Sequence, residues 1–124
     1  MENTITIGVY GTLKQGFNNH KRFLEDAEFI GKDIIKGELY ETRRYPMLTT
    51  GKDDIAIEIF KVDFKTFERL KEMEENAGYV TGTTITQIKK IHIQIWTVTK
   101  KQINKYKNSE WTKIEKIKEY QQIK

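Results

Sequence analysis

An alternating apolar run at the N-terminus, ended by a glycine, constrains this chain more than any other feature. Within Thr4–Tyr10, the apolar residues Ile5, Ile7 and Val9 occupy every second position. That spacing is the period of a β-strand. Gly11 follows directly and predicts a tight turn at the strand end. The chain should therefore begin with a strand that delivers a turn to one edge of a sheet.

The remaining pattern predicts more strands, arranged around one well-marked helix. Ile55 to Val62 repeats the alternation most clearly. The other strand-like segments are 29–40, 45–48, 79–88 and 91–96. Helices are expected after Asn18 or Asn19, either of which can cap a short helix through Leu24, and over 101–106 and 112–120. About five or six strands in mixed order with helices indicate an α+β fold with a curved or closed sheet.

The best-marked helix starts at Asp63, whose carboxylate suits the N-cap position. Apolar residues recur after it at three-residue steps, which predicts a buried face made of Phe64, Phe67, Leu70 and Met73. Glu74 shares the face of Phe67 and Leu70. Three other acidic residues lie on the opposite side and should face solvent: Glu68, Glu72 and Glu75.

Composition indicates one soluble globular domain over residues 1–124. The chain is 37% hydrophobic and 32% charged, and it contains no cysteine. Disulfides, thiolate catalysis and cysteine metal sites are thereby excluded, and a reducing, cytoplasmic location is the expectation. No apolar run is long enough to span a bilayer, and no signal-peptide pattern opens the chain.

Basic charge is concentrated at the C-terminal end. Residues 1–99 carry fourteen Lys and Arg against fifteen Asp and Glu, whereas residues 100–124 carry eight Lys against three Glu. A nucleic-acid site would have to lie in this segment. However, its lysines alternate with glutamates as on a solvated helix face, and it lacks arginine. The sequence thus favours a small-molecule partner over nucleic acid, and leaves the oligomeric state unassigned.

Glu74 is the first candidate for chemistry. It lies on an apolar helix face near the helix C-terminus, where burial and the helix dipole both disfavour an anion. Both effects raise a carboxyl pKa, which suits a general base near neutral pH. Periodicity alone leaves open a glutamate at a fraying helix end whose side chain reaches water.

The turn after the first strand is the second candidate. The N–H groups of the turn Tyr10–Leu13 would be unpaired and could bind a carboxylate or a carbonyl oxygen. An ordinary strand-ending turn is the alternative. The sequence is neither a P-loop nor a dinucleotide-binding fingerprint. The two histidines, His20 and His92, have no close-spaced partners, so neither a metal nor a cofactor is expected.

Taken together, these motifs resemble the γ-glutamylcyclotransferase-like superfamily, in its branch of γ-glutamylamine cyclotransferases and AIG2-like proteins. The resemblance spans nearly the whole chain and rests on the order and spacing of several short motifs. In chain order they are Tyr10-Gly11-Thr12-Leu13-Lys14-Gln15-Gly16, Asn19-His20, Gly37-Glu38-Leu39-Tyr40, Tyr45-Pro46, residues 58–63, Leu70-Lys71-Glu72-Met73-Glu74, Tyr79 and a degenerate Asn108-Ser109-Glu110-Trp111.

The resemblance implies a compact six-stranded barrel-like fold with short helices around a cavity. It also implies substrate-binding roles for Tyr10, Gly11, Thr12, Leu13 and Tyr79, and an acid/base role for the residue at position 74. Two departures concern substrate fit. Ile57 replaces a usual glycine, and Thr81 stands where the family often has arginine.

The function that the resemblance implies is a cofactor-independent γ-glutamyl cyclotransferase. Such an enzyme releases 5-oxoproline and a free amine from a γ-glutamyl amide by intramolecular attack of the α-amine. A non-catalytic member of the same fold that binds a small ligand is the alternative. The leaving amine is not specified by the sequence.

Overall fold

The computed structural model describes residues 3–42, 46–107 and 114–119 of the 124-residue chain. Strands and helices alternate irregularly along these residues, as expected for an α+β fold. The strands are β1 (Thr4–Val9), β2 (Glu28–Glu41), β3 (Pro46–Asp63), β4 (Val80–Ile85), β5 (His92–Thr97) and β6 (Glu115–Ile117). The helices are α1 (Asn18–Leu24), α2 (Phe64–Asn76) and α3 (Lys100–Lys107).

The six strands form one mixed sheet in the order β4-β5-β1-β3-β2-β6. β1 runs parallel to β5, while the other neighbouring pairs are antiparallel. The long β2–β3 ladder changes register twice, between Phe29 and Gly31 and between Gly37 and Glu38. Such irregularities bend a sheet and increase its twist. The sheet curls into a half-barrel, which confirms the predicted fold class.

β3 has apolar side chains buried on both of its faces. Ile55, Ile57 and Ile59 belong to one core cluster on one face. Phe60 and Val62 belong to a second cluster on the other face, where α2 packs. Burial of side chains of this size stabilises the fold by about 1.5–3 kcal/mol each. β3 therefore holds the middle of the sheet and fixes the position of α2.

α2 begins as predicted, with the Asp63 carboxylate accepting a hydrogen bond from the backbone N–H of Thr66 at 2.7 Å. Phe67 and Leu70 are buried, and Met73 is half-buried. Phe64, however, is 56% exposed, so its predicted burial is wrong. A step of three residues turns the helix face by about 60° short of a full turn, so a row at this spacing rotates out of the core. The predicted exposure of Glu68, Glu72 and Glu75 is confirmed.

Two predictions of local structure are wrong. The helix expected over 112–120 is replaced in its described part by strand β6, which pairs with Leu39–Glu41 of β2. An open strand edge supplied hydrogen-bond partners that the charge pattern did not reveal. The asparagine cap of α1 is also absent: Phe17 is the N-cap, with no side-chain hydrogen bond. Asn19 instead donates to the Thr12 hydroxyl at 2.8 Å.

The described part of the C-terminal segment packs on the sheet, as expected. Ile103 of α3 is buried in a cluster with Tyr40 and Met47, and Lys116 of β6 forms an ion pair with Asp53 at 3.0 Å. The expected packing of Trp111 lies outside the described residues. No helix within residues 3–42, 46–107 and 114–119 is long and apolar enough to cross a membrane.

Candidate active site

A cavity of about 410 Å³ lies between the turn that follows β1 and the C-terminal end of α2. This volume is in the range of small-molecule sites. Its lining residues are Gly8, Val9, Tyr10, Gly11, Thr12, Leu13, Asn19, Pro46, Met73, Glu74, Ala77, Tyr79 and Trp96. The turn and the carboxylate that the sequence singled out therefore line the same cavity.

The turn after β1 is tight, and it needs glycine at its second position. A Cβ atom on Gly11 would lie 2.6 Å from Cγ of Pro46, closer than such atoms approach. The Lys14 N–H donates to the Gly11 carbonyl at 3.0 Å and closes the turn. Within the described part of the chain, the N–H groups of Thr12 and Leu13 donate to no protein acceptor. They are thus available to an oxygen atom of a ligand.

Side chains from two neighbouring elements hold this turn in place. Asn19 of α1 donates to the Thr12 hydroxyl. Nδ1 of His20 lies 3.0 Å from the Leu13 carbonyl oxygen. The buried Glu58 of β3 accepts the N–H of Gln15 at 2.8 Å. The turn is therefore pre-organised rather than free to close around any ligand.

Glu74 occupies the last turn of α2 and lines the opposite part of the cavity. Its position follows from the docking of Phe67 and Leu70, which aims the same helix face at the sheet. Burial raises the pKa of Glu74 from 4.5 to about 7. The predicted upward shift is thus confirmed, with desolvation as its cause. A carboxyl group with this pKa can both accept and donate a proton near neutral pH.

Tyr79 joins the end of α2 to the other wall of the cavity. Its N–H donates to the Glu74 carbonyl at 2.9 Å, after Gly78 turns the chain with a φ of +97°. Its hydroxyl donates to the Pro46 carbonyl at 2.6 Å. Because Pro46 packs against Gly11, this hydrogen bond fixes the distance between the helix end and the turn.

Tyr10, the first residue of the turn, is buried. Its hydroxyl donates to the Trp96 carbonyl at 2.6 Å. Burial, and then the neighbouring Tyr79 and Glu74, raise the pKa of Tyr10 well above its ordinary value. Tyr10 therefore stays protonated at neutral pH and serves as a hydrogen-bond donor, not as a base.

All six residues named from the sequence line this cavity: Tyr10, Gly11, Thr12, Leu13, Glu74 and Tyr79. Their roles toward a ligand remain predictions. The cavity is also lined by four residues that were not predicted as site residues: Asn19, Pro46, Met73 and Trp96. Pro46 and Asn19 belong to the family-like sequence motifs, so a signal existed for them. Trp96 had no such signal, since its place depends on β5 lying beside β1. No group of three or more His, Asp or Glu among the described residues could hold a metal ion.

Comparison with known proteins identifies the family. Residues 7–118 match the family described as Gamma-glutamyl cyclotransferase, AIG2-like, so the chain belongs to that family. A Pyrococcus horikoshii protein, provisionally named a gamma-glutamylcyclotransferase, is 35% identical over 95 residues, which are 77% of this chain and 81% of that protein. Its crystal structure superposes with a TM-score of 0.67 at 33% identity, covering 76% of this chain and 77% of that one.

The chain is also similar to one further curated protein and to one further solved structure. Gamma-L-glutamyl-butirosin B gamma-glutamyl cyclotransferase of Niallia circulans is 36% identical over 88 residues, which are 70% of this chain but 55% of that protein. The crystal structure of a mouse AIG2-like protein has a TM-score of 0.68 at 24% identity and covers 77% of this chain and 78% of that one. The mouse protein shows the shared fold alone.

Proposed function

We propose that this protein is a γ-glutamyl cyclotransferase that releases 5-oxoproline and a free amine from a γ-glutamyl amide. One observation carries the proposal: the half-buried Glu74 and the turn residues Thr12 and Leu13, whose N–H groups have no acceptor among the described residues, line the same cavity. The names of the Pyrococcus horikoshii and Niallia circulans relatives support the same reaction class.

The reaction needs little from the protein beyond proton transfer and placement. The substrate carries its own nucleophile, the α-amine, which attacks the γ-carbonyl carbon and closes a five-membered ring. The bond between that carbon and the leaving nitrogen then breaks. The protein holds the substrate in a folded conformer, in which the α-amine lies next to the γ-carbonyl carbon. This proximity raises the rate, so no covalent enzyme intermediate is needed. The chemistry as written requires no cofactor.

In this proposal Glu74 moves the protons. Its carboxylate takes the first proton from the α-ammonium group and passes it to solvent, which frees the amine for attack. As the ring closes, the α-nitrogen gives up a second proton, and Glu74 carries it to the leaving nitrogen. A pKa of about 7 leaves both forms of Glu74 populated near neutral pH.

The turn supplies the other half of the proposed mechanism. The N–H groups of Thr12 and Leu13 donate to no acceptor in the described part of the protein, so they can donate to the γ-carbonyl oxygen as negative charge develops on it. Tyr10 and Tyr79 line the space proposed for the glutamyl group. Their hydroxyl groups are held by hydrogen bonds to the Trp96 and Pro46 carbonyls. Gly11 permits the close approach of Pro46 that shapes this wall.

The test is a screen of γ-glutamyl amides for 5-oxoproline release by the wild-type protein, followed by the Glu74→Gln variant on any substrate found. Glu74→Gln keeps the shape of the side chain but cannot shuttle a proton, so turnover should fall about 10²-fold or more. Binding of the substrate should change little. The matched control is Glu72→Gln, an exposed residue on the same helix, which should keep wild-type turnover.

Two outcomes would contradict the proposal. Wild-type turnover by Glu74→Gln would remove the carboxyl group from the mechanism. Tight binding of γ-glutamyl compounds with no 5-oxoproline release by the wild type would favour the alternative, a non-catalytic protein of the same fold that binds a small ligand.

A further inference from the structure

The hydroxyl group of Thr81, in β4, lies outside the cavity but forms two hydrogen bonds next to it. One partner is Trp96, which lines the cavity, and the other is Glu75, the chain neighbour of the lining residue Glu74. Thr81 Oγ1 accepts the indole N–H of Trp96 at 3.0 Å. The same hydroxyl donates to a carboxylate oxygen of Glu75 at 3.0 Å.

The bond to Trp96 is set by the pairing of two strands. Thr81 and Trp96 are direct partners in the antiparallel β4–β5 ladder, where side chains on one face lie close enough to interact. The Trp96 side chain is buried and packs on Phe67 of α2, with ring centroids 5.9 Å apart. Without a partner for its N–H group, the Trp96 indole would be free to tilt against the Phe67 ring.

The hydrogen bond to Glu75 connects Thr81 with α2, the helix that carries Glu74. Glu75 follows Glu74 in the last turn of α2, where helix ends fray most readily. This exposed hydrogen bond links β4 to the side chain of the residue next to Glu74. A hydroxyl is the smallest side-chain group that can accept from the indole and donate to the carboxylate at once.

We propose that Thr81 is a positioning residue, which holds the Trp96 indole and the Glu74 turn of α2 at a fixed separation. This inference rests on the proposed function for its catalytic consequence, but its structural content stands apart from any substrate. When the hydroxyl is lost, the Trp96 indole becomes more mobile and water reaches the Glu74 carboxyl group.

The key variant is Thr81→Val, which keeps the shape of the side chain and removes the hydroxyl. Thr81→Ser keeps the hydroxyl and should restore the wild-type behaviour. Thr83→Val is the matched control, since Thr83 is exposed and lies two residues along the same strand, on the same side. The two tryptophans give two indole N–H signals by NMR, and the one retained in Trp111→Phe belongs to Trp96.

In Thr81→Val without ligand, the Trp96 indole N–H signal should move upfield and exchange with solvent at least about ten-fold faster. The titration midpoint of the Glu74 carboxyl group, followed by ¹³C NMR, should fall by about half a pH unit or more, because hydration favours the charged form. With a substrate, kcat/KM should fall about ten-fold. Thr81→Ser should reverse all three changes, and Thr83→Val should cause none.

An unchanged Trp96 signal or an unchanged Glu74 midpoint in Thr81→Val would overturn the inference, as would equal changes in Thr83→Val. Thr81→Ala provides a second variant if valine is not accommodated. Failure of both Thr81 variants to fold, while Thr83→Val folds, would assign Thr81 to the fold and not to the site. The NMR measurements need no turnover, so a wild-type protein without 5-oxoproline release would count against the proposed function alone.

Discussion

The half-buried carboxyl group of Glu74 should make the free energy of unfolding depend on pH, and one substitution should remove that dependence. Burial raises the pKa of Glu74 from 4.5 to about 7 in the folded protein, whereas the unfolded chain should keep the ordinary value. Between these two pH values the folded state binds a proton that the unfolded state has lost. Stability should therefore fall as the pH rises from 4.5 to 7 and stay low above it.

The magnitude follows from the size of that pKa difference. At about 1.4 kcal/mol for each pH unit, the charged form of Glu74 costs about 3 kcal/mol of folding free energy above pH 7. Glu74→Gln removes the charge and keeps the shape. Burying the amide has a smaller cost of its own, so the gain at pH 8 should be about 1–3 kcal/mol.

Urea unfolding of the wild type, Glu74→Gln and Glu72→Gln at pH 4.5 and pH 8 checks this prediction. Glu74→Gln should be more stable than the wild type at pH 8 and close to it at pH 4.5, while the exposed Glu72→Gln control should show no such difference. An equal effect of Glu74→Gln at both pH values would refute the argument, because it would show that the carboxyl group is not desolvated in the folded protein.

Two other variants test the supports of the site, and a third tests a buried carboxylate elsewhere in the fold. Gly11→Ala forces a Cβ against Pro46 and should cost about 1–3 kcal/mol by urea unfolding; Gly82→Ala, whose nearest contact would be 3.9 Å away, is its control. Tyr79→Phe leaves the Pro46 carbonyl without its donor and should cost about 1 kcal/mol in thermal unfolding and lower kcat/KM several-fold. Burial opposes ionisation of Asp33, but N–H donors from Ile88, Ile34 and Lys89 lower its pKa to about 2. Asp33→Asn should therefore lower the free energy of unfolding by about 2 kcal/mol at pH 7. The difference should shrink as the pH falls from 4 toward 2, because the wild type then loses the same charge.

The local parts of the fold were predictable because short-range patterns determine them. β1 and the middle of β3 are strands, as their alternating sequences predict, and Asp63 caps α2 as its position suggests. Segments decided by distant partners were not predictable. The chain around Lys116 carries a charge pattern typical of a helix, yet it pairs as a strand with the edge of β2.

The same distinction applies to the candidate site. Periodicity placed Glu74 on the apolar side of its helix, and the glycine marked the turn. The prediction that Glu74 and the turn lie on opposite walls of one cavity came from the family resemblance, because spacing along the chain does not determine it. Trp96 was not predicted as a site residue, and neither was its bond to Thr81, because their contact depends on the β4–β5 register, which no local signal specifies.

The pH dependence of kcat/KM for 5-oxoproline release tests the central claim most directly, because it reports the ionisation of the free enzyme. If Glu74 is the base, kcat/KM should rise with pH through a midpoint of about 7, the pKa of the buried carboxyl group. Glu74→Gln should lose this limb along with most of its activity. A midpoint near 4.5, or a limb that persists in Glu74→Gln, would contradict the account.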